Sequence, residues 1–230
     1  MLILLTGPIG SGKSEAEHIL CEILQQKSES FADPLKKIAL IFGFEHHEVY
    51  GTQQQKLVPN KIWGVTGRTF CQQFGTEICR NTLPDVIPEM KNVWIQLMEE
   101  KIKVNRNIII SDGRFEDEVE LVRKYHGLVL KMNRPNRTKN IDESKHTSES
   151  QYLDFDFEID NVGTIEDLRM QLTNFIKFIK QSGTLDEYGC NLRGKRIREK
   201  NDSNTSDSIG PVLENYMDVQ RERAKLQYDI

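Results

Sequence analysis

The sequence has few cysteines, no long apolar run and no excess of positive charge. Its four cysteines lack the paired C-x-x-C spacing that zinc sites and redox motifs use. No stretch approaches the roughly 18 apolar residues of a membrane span, and the apolar run at residues 2–5 is too short for the core of a signal peptide. We therefore expect a cytoplasmic protein with reduced thiols, an apolar core and no membrane partner.

The balance of charges argues against nucleic acid as the main partner. The formal net charge is -4, whereas broad binding to a nucleic-acid backbone requires a clustered positive field. Only residues 193–200 are locally basic, and such a run is usually a solvated stretch of chain. The expected partners are therefore small molecules.

Short apolar runs alternate with helical patterns over residues 1–182. Runs of this length are too short for core helices and are typical of buried parallel strands. The strand candidates are residues 2–5, 108–110 and 128–130, with weaker candidates at 28–32 and 155–159. Helical stripes of apolar residues cover 16–24, 94–102 and 165–179. The alternation predicts a three-layer α/β/α fold with about five parallel strands and helices on both faces.

Residues 183–230 have the composition of a polar tail. The stretch 201–208 contains only Asn, Asp, Ser and Thr and has nothing to bury. Apolar residues at 212–217 predict a short terminal helix that could dock on the body or on a second subunit, which would make the protein a homodimer. We therefore predict one domain over residues 1–182 and a separate tail over 183–230.

The segment at residues 7–14 reads G-P-I-G-S-G-K-S and matches the phosphate-loop pattern G-x-x-x-x-G-K-[ST] between a predicted strand and a predicted helix. Its glycines allow backbone N–H groups to surround phosphate oxygens, and the helix that begins near Lys13 adds the positive end of its dipole. Lys13 would follow the negative charge that moves during phosphoryl transfer. The predicted ATP-binding residues are Gly7, Gly10, Ser11, Gly12, Lys13 and Ser14.

Two oxygen-bearing side chains predict a site for Mg²⁺. The hydroxyl of Ser14 is placed to ligate the ion that accompanies ATP. Asp112 ends the strand that begins at Ile108, in the position where a carboxylate holds the ion through its water shell. The alternative role for Asp112 is to cap the helix that begins near Glu116.

Phosphoryl transfer also requires an acceptor in line with the donor, so a second anion site is expected. A polar stripe at helical spacing consists of Arg68, Gln72, Thr76 and Arg80, and another face carries Phe70, Phe74 and Ile78. If the polar stripe faces a cleft, an arginine can clamp a monophosphate and Gln72 can read the edge of a base. The alternative is a solvated helix face.

Further candidates follow the other predicted strands. Asp33 precedes a proline at the carboxyl edge of the sheet, where it could accept the proton of the acceptor or hold a metal-bound water, or simply form a turn. Arg114 is a candidate charge clamp two residues after Asp112. Trp63 could stack on a base, or could be a buried core residue.

Residues 133–150 form a basic segment without an apolar period. Its position between two strands predicts a lid that closes over the phosphates, excludes water and brings Arg134 and Arg137 to the transition state. His146 lies in the same segment. A plain surface loop is the alternative.

Several motifs in this order resemble those of the deoxynucleoside monophosphate kinases of phages and large DNA viruses. They are F-A-D-P-L-K at 31–36, W-G-V-T-G-R at 63–68, Q-Q-F-G-T-E at 72–77 followed by Arg80, S-D-G-R-F at 111–115 and H-T-S-E at 146–149. The resemblance covers about residues 1–180 and implies a nucleoside monophosphate kinase-like fold. It also implies ATP with Mg²⁺ as donor and a deoxynucleotide such as dGMP or dTMP as acceptor. Gly113 departs from the bulkier residue expected between Asp112 and Arg114.

The resemblance and the residue patterns together define two predicted sets of site residues. The catalytic set is Lys13, Asp33, Arg114, Arg134 and Arg137. The acceptor-binding set is Asp33, Lys36, Trp63, Arg68, Gln72, Arg80, Arg114 and His146.

Two other functions are compatible with the phosphate loop. Dephospho-coenzyme A kinases also combine an N-terminal loop of this type with a small α/β body, although residues 63–80 favour a nucleotide acceptor. A non-catalytic binding module that responds to ATP is the second alternative, and the basic lid-like segment argues against it.

Overall fold

The computed structural model describes residues 1–135 and 153–181 together with a short strand at 195–196. The chain divides into two units, Met1–Ile197 and Arg198–Ile230, and the second lies outside the described residues. Also outside them are residues 136–150 of the predicted lid and the terminal helix on which the predicted homodimer depends. The predicted domain boundary at residue 182 stays a prediction.

Six parallel strands form one sheet in the order β2-β3-β1-β4-β5-β6. They are β1 Ile3–Thr6, β2 Lys27–Glu29, β3 Ile108–Gly113, β4 Leu128–Asn133, β5 Phe157–Asp160 and β6 Lys195–Arg196. The first five correspond to the five strands expected from the sequence. Because β1 lies between β3 and β4, the loop that follows it opens in the middle of the carboxyl edge of the sheet.

Helices cover both faces of this sheet, which confirms the three-layer α/β/α fold. The α-helices of the described residues are α1 Lys13–Leu24, α2 Asp33–Ile41, α3 His46–Tyr50, α4 Gly67–Gln72, α5 Leu83–Val86, α6 Val93–Val104, α7 Glu116–Lys124 and α8 Ile165–Gln181. A π-helix, Gln73–Thr82, continues α4, and 3₁₀ turns occupy Gln55–Leu57 and Pro88–Met90. Helix α1 packs against α8, and α6 packs against α7.

The alternation of side chains along β1 explains how the two layers of helices are held. Leu4 packs in a cluster with Met98 of α6 and Val119 of α7. Successive side chains of a strand point to opposite faces, so the equally buried Ile3 and Leu5 face the other layer. The apolar runs of the sequence therefore form the central layer. No helix in residues 1–135 or 153–181 has the length and apolarity needed to cross a membrane.

A buried ion pair joins α7 to the segment that precedes β5. Asp156 is 1% exposed, and its carboxylate accepts hydrogen bonds from Arg123 Nη1 at 2.9 Å and from the backbone N–H of Val129 at 2.8 Å. Burial raises the pKa of Asp156, and the hydrogen bonds from Val129 and Arg123 oppose that rise. Arg123 also binds the more exposed Asp154 at 3.1 Å.

Asp156→Ala should lower the free energy of unfolding by about 3 kcal/mol, because it removes the buried carboxylate that pairs with Arg123 and leaves the buried Val129 N–H without an acceptor. Urea denaturation followed by circular dichroism measures the change. Asp154→Ala is the matched control, since it removes an exposed partner of the same arginine and should cost less than about 1 kcal/mol. Equal losses for the two variants would contradict this account.

Candidate active site

The phosphate loop connects β1 to α1 and depends on glycine at its last turn. Gly12 caps the N-terminus of α1 with φ of +98°, a left-handed conformation that side chains rarely adopt. A Cβ atom at Gly12 would also collide with the side-chain amide of Asn161. That amide donates a hydrogen bond of 3.1 Å to the backbone carbonyl of Ser11, so the residue after β5 holds the loop in place.

Three side chains of the loop have polar groups suited to phosphate or its metal ion. The hydroxyl of Ser11 is fully buried and has no hydrogen-bond partner within the described residues. A buried hydroxyl without a partner costs about 1–3 kcal/mol, which a phosphate oxygen could offset by accepting its proton. The Lys13 ammonium donates to the carbonyl oxygens of Gly7 at 2.5 Å and Pro8 at 2.8 Å, so it lies over its own loop. Ser14 is exposed in the first turn of α1.

A cavity of about 220 Å³ lies beside this loop, with Ile9 of the loop in its wall. It brings together six side chains that the sequence marks as acceptor or metal ligands: Lys36, Arg68, Gln72, Arg80, Asp112 and Arg114. They come from α2, α4, the π-helix and the end of β3, which are widely separated in the sequence. A cationic cavity therefore adjoins the predicted ATP site.

The helix expected over residues 68–80 is divided into two geometries. Helix α4 begins where the Thr66 hydroxyl accepts a hydrogen bond of 3.0 Å from the Thr69 backbone N–H. From Gln73 the turns widen into a π-helix, a rare geometry that is frequent at functional sites. Arg68, Gln72, Thr76 and Arg80 all line the cavity. Ile78, grouped by spacing with Phe70 and Phe74, is 48% exposed.

Asp112 connects the end of β3 to the start of α2. Its carboxylate accepts hydrogen bonds from the Ser30 hydroxyl at 2.7 Å and from the backbone N–H groups of Phe31 and Ala32, each at 2.9 Å. Oδ1 accepts only one of these three bonds, which leaves one of its lone pairs for a metal-bound water. The alternative cap of the helix near Glu116 is not formed by Asp112, because its hydrogen bonds go to residues 30–32.

The donor set suits Mg²⁺ held mainly by water and phosphate oxygens. Within the described residues no three His, Cys, Asp or Glu side chains form a metal cluster. Mg²⁺ usually keeps several waters and takes one or two protein oxygens together with substrate phosphates. The Ser14 hydroxyl and the free lone pair of Asp112 fit this pattern.

Arg80 lines the cavity, but its charge is already balanced. Its two terminal nitrogens bind Asp117 and Glu118 at 2.5 Å each, and its guanidinium lies 3.9 Å from the centroid of the Phe115 ring. Burial raises the pKa of Glu118, and the facing Arg80 opposes that rise. Glu118 also accepts hydrogen bonds from the backbone N–H groups of Arg114, at 2.7 Å, and Phe115, at 3.1 Å. These contacts favour a role for Arg80 in shaping the cavity.

The glycine at position 113 has a packing reason. A Cβ atom there would lie 2.8 Å from the side chain of Leu4, which is fully buried in β1. A bulkier residue would therefore collide with Leu4 and displace this buried side chain. The close approach of the two strands sets the position of the Arg114 backbone, and the Arg114 side chain lines the cavity.

Asp33 and Trp63 are not among the side chains that line the cavity. The Asp33 carboxylate accepts a hydrogen bond of 3.0 Å from the Tyr50 hydroxyl and pairs with Lys37 at 2.8 Å. Although burial opposes ionisation, Lys37 and Tyr50 lower the pKa of Asp33, which makes it a weaker proton acceptor. Trp63 is 54% exposed, and its indole N–H donates to the Phe42 carbonyl at 2.6 Å. Trp63 is therefore neither a buried core residue nor part of the cavity wall.

The predicted lid residues are only partly described. Arg134 is exposed immediately after β4. Arg137 and His146 lie outside the described residues. Their predicted contacts with phosphate stay predictions.

Sequence reasoning missed several residues of the site, among them Lys56, Gln53 and Asn161. Lys56 and Gln53 line the cavity, and Gln53 accepts a hydrogen bond from Arg68. Asn161 supports the phosphate loop from β5. The segment around Lys56 has no apolar period, so its sequence carries no signal of which side chain turns inward. The hydrogen bond from Asn161 to Ser11 joins two residues that lie 150 positions apart in the sequence, so local spacing gives no sign of it.

A phosphate loop after the central strand of a parallel sheet, with a cationic cavity beside it, defines a P-loop kinase. The family model for deoxynucleotide monophosphate kinases matches residues 44–172 of this chain. A protein of Acanthamoeba polyphaga mimivirus, named "Putative deoxynucleotide monophosphate kinase", is 31% identical over 186 residues, which cover 76% of this chain and 96% of the mimivirus protein. The chain therefore belongs to the deoxynucleotide monophosphate kinase family. It is a phosphotransferase that acts on small nucleotide substrates.

The crystal structure of shikimate kinase from Aquifex aeolicus is also similar to this chain. The similarity covers 79% of this chain and 99% of the shikimate kinase, with a TM-score of 0.44 and 14% sequence identity.

Arg80→Ala should lower the free energy of unfolding by about 3 kcal/mol, because Glu118 would remain buried without its cation. Thermal or urea unfolding measures the loss. Arg68→Ala is the matched control: its guanidinium binds the exposed Gln53, so its removal should cost less than about 1 kcal/mol. Similar stability of the two variants would contradict a structural role for Arg80.

Proposed function

We propose that this protein transfers the γ-phosphoryl group of ATP to a deoxynucleoside monophosphate such as dGMP or dTMP. The observation that carries the proposal is the single cavity lined by Ile9 of the phosphate loop and by Lys36, Arg68 and Arg114. Direct transfer requires that the reacting oxygen of the acceptor lie close to the γ-phosphorus of ATP. Two adjoining anion sites would hold the acceptor and the donor at such a distance.

On the donor side, the backbone of residues 7–14 and the buried hydroxyl of Ser11 would hold the phosphates of ATP. The Lys13 ammonium, now bound to two carbonyls of its own loop, would exchange these bonds for phosphate oxygens. Ser14 and Asp112 would hold Mg²⁺, which compensates charge on the donor phosphates. Closure of the predicted lid would add Arg134 and Arg137 and exclude water.

On the acceptor side, Arg68 and Arg114 would clamp the monophosphate and Gln72 would hydrogen-bond the edge of the base. Phe31, Leu35 and Trp94 give the cavity an apolar wall against which a base can pack. An amide carries both donors and acceptors, so Gln72 can recognise either a purine or a pyrimidine edge. The role of His146 as an acceptor ligand belongs to the same proposal.

The direct test is a panel of the four deoxynucleoside monophosphates, their ribonucleotide counterparts and dephospho-coenzyme A, each incubated with ATP and Mg²⁺. The proposal predicts ADP and a deoxynucleoside diphosphate with at least one deoxynucleotide. It predicts no product from dephospho-coenzyme A. ATP binding without transfer to any monophosphate would favour the non-catalytic binding module.

Lys13→Ala should lower kcat by about 100- to 1,000-fold, because an interaction that strengthens in the transition state is lost. Steady-state kinetics with the preferred monophosphate measure the effect. Lys91→Ala, which removes an exposed lysine outside the cavity, should leave kcat unchanged. Near-normal turnover by Lys13→Ala would refute its role as the residue that follows the charge.

Arg68→Ala should raise the KM of the acceptor about tenfold or more, because a hydrogen bond to a charged group contributes about 1.5–3 kcal/mol. The KM of ATP should stay nearly constant. Arg106→Ala is the matched control, since this exposed arginine lies outside the cavity, 5.3 Å from the centroid of the Tyr125 ring. A selective loss of ATP affinity in Arg68→Ala would instead assign α4 to the donor side.

A further inference from the structure

We propose that Lys56 is a phosphate-binding residue of the acceptor site and contacts the dianionic phosphate of the incoming nucleotide. The inference rests on the proposed function and adds a ligand to it. It is carried by the position of Lys56 in the cavity, by its lack of a counterion among the described residues and by the charge of its surroundings.

Lys56 is the one partly buried residue of the otherwise exposed segment 52–59. It lies in the 3₁₀ turn Gln55–Leu57, and its neighbours from residue 52 to residue 59 are all exposed, whereas Lys56 is partly buried. A lysine side chain is long and strongly hydrated, so it normally extends into solvent. Here it lines the cavity, and the bond from Arg68 to Gln53 attaches the same segment to α4.

The groups around Lys56 are mainly cationic. Lys36 of α2, Arg68 of α4 and Arg114 after β3 act on it electrostatically, together with the Cys71 thiol of α4. Five cationic side chains and three carboxylates line the cavity. Cationic side chains therefore outnumber carboxylates in the cavity wall, and a dianionic phosphate would bring the opposite charge.

The carboxylates of the cavity are already bonded to other groups. Asp112 binds residues 30–32, and Glu118 binds Arg80 and two backbone N–H groups. Glu48 accepts hydrogen bonds from the Glu45 backbone and from the Asn60 amide. Within the part of the chain that the structure describes, Lys56 pairs with no carboxylate. An anionic ligand is therefore the counterion that the cavity can accept.

The same crowding predicts a characteristic pH dependence. Burial, followed by the neighbouring cations Lys36, Arg68 and Arg114, lowers the pKa of Lys56. Lys56 therefore loses its proton at a lower pH than an ordinary lysine, whose pKa is about 10.4. Burial raises the pKa of the facing Cys71 thiol, and the nearby cations Lys36, Lys56 and Arg114 oppose that rise. Loss of the Lys56 charge on the alkaline side should weaken acceptor binding.

The test compares Lys56→Gln and Lys56→Arg with the wild type by isothermal titration calorimetry, with dGMP, dTMP and inorganic phosphate as probes. Lys56→Gln should weaken binding of the preferred monophosphate about tenfold, because one hydrogen bond from a cation to phosphate is lost. Binding of ATP and of the corresponding deoxynucleoside, which lacks the phosphate, should not change. Lys56→Arg should retain most of the affinity.

Lys61→Gln is the matched control, because it removes an exposed lysine close in sequence that does not line the cavity. It should bind the monophosphate as the wild type does. Equal affinity of Lys56→Gln and the wild type would overturn the inference. A loss of affinity for ATP or for the phosphate-free nucleoside in Lys56→Gln would also overturn it, since either would indicate a general distortion of the site.

The pH profile of the acceptor KM separates a charged ligand from a structural lysine. In the wild type the KM should rise as pH increases towards the range in which lysines titrate, and the rise should be absent in Lys56→Arg because a guanidinium stays protonated. The same rise in both proteins would assign the titration to another group of the site and count against Lys56.

The failure of this inference can be distinguished from failure of the proposed function. Phosphoryl transfer by the wild type together with unchanged monophosphate binding in Lys56→Gln would remove Lys56 from the site and leave the kinase assignment intact. Monophosphate binding that depends on Lys56, without transfer from ATP, would retain the anion site and reject the proposed reaction. A wild type that binds no monophosphate would overturn both.

Discussion

The hydrogen bonds of Asp112 hold the start of α2 against the end of β3, at the edge of the sheet where the phosphate loop adjoins the cavity. The strand that carries Asp112 lies between β1, which leads into the phosphate loop, and β2, which leads into α2. By binding Ser30, Phe31 and Ala32, the carboxylate sets where α2 begins. It also places negative charge at the positive end of that helix. Lys36 and Arg114 reach one cavity because this connection holds their backbones at one edge of the sheet.

The cavity beside this edge combines Arg80, which pairs with two carboxylates, with four other cationic side chains. Arg80 is neutralised by Asp117 and Glu118, so it can support the wall without repelling its neighbours. Lys36, Lys56, Arg68 and Arg114 repel one another at a cost in stability that a bound phosphate would offset. Such local conflict between stability and charge is typical of functional sites. Under the proposed function these cations would belong to the acceptor side, and the glycines and buried hydroxyl of the loop would belong to the donor side.

The parts of the fold that depend on local pattern were predictable from the sequence. The five strands and the helices α1, α6 and α8 follow from apolar runs and stripes, and the phosphate loop follows from its motif between a strand and a helix. The π-helix was not predictable, because the same residues also fit the spacing of an α-helix. The hydrogen bonds of Asp33 and Trp63 and the inward turn of Lys56 depend on distant or aperiodic partners, which spacing does not reveal. The resemblance to a known family indicated which motifs contribute to the site. Only the three-dimensional structure shows that their side chains line one cavity.

The central claim is that donor and acceptor occupy adjoining parts of one site, so that the phosphoryl group passes directly between them. The stereochemical course at phosphorus tests this most directly, with ATP whose γ-phosphoryl group is made chiral by oxygen isotopes. A single in-line displacement inverts the configuration, and the account predicts inversion in the deoxynucleoside diphosphate product. Retention would require two successive displacements through a phosphorylated protein side chain, and it would contradict direct transfer.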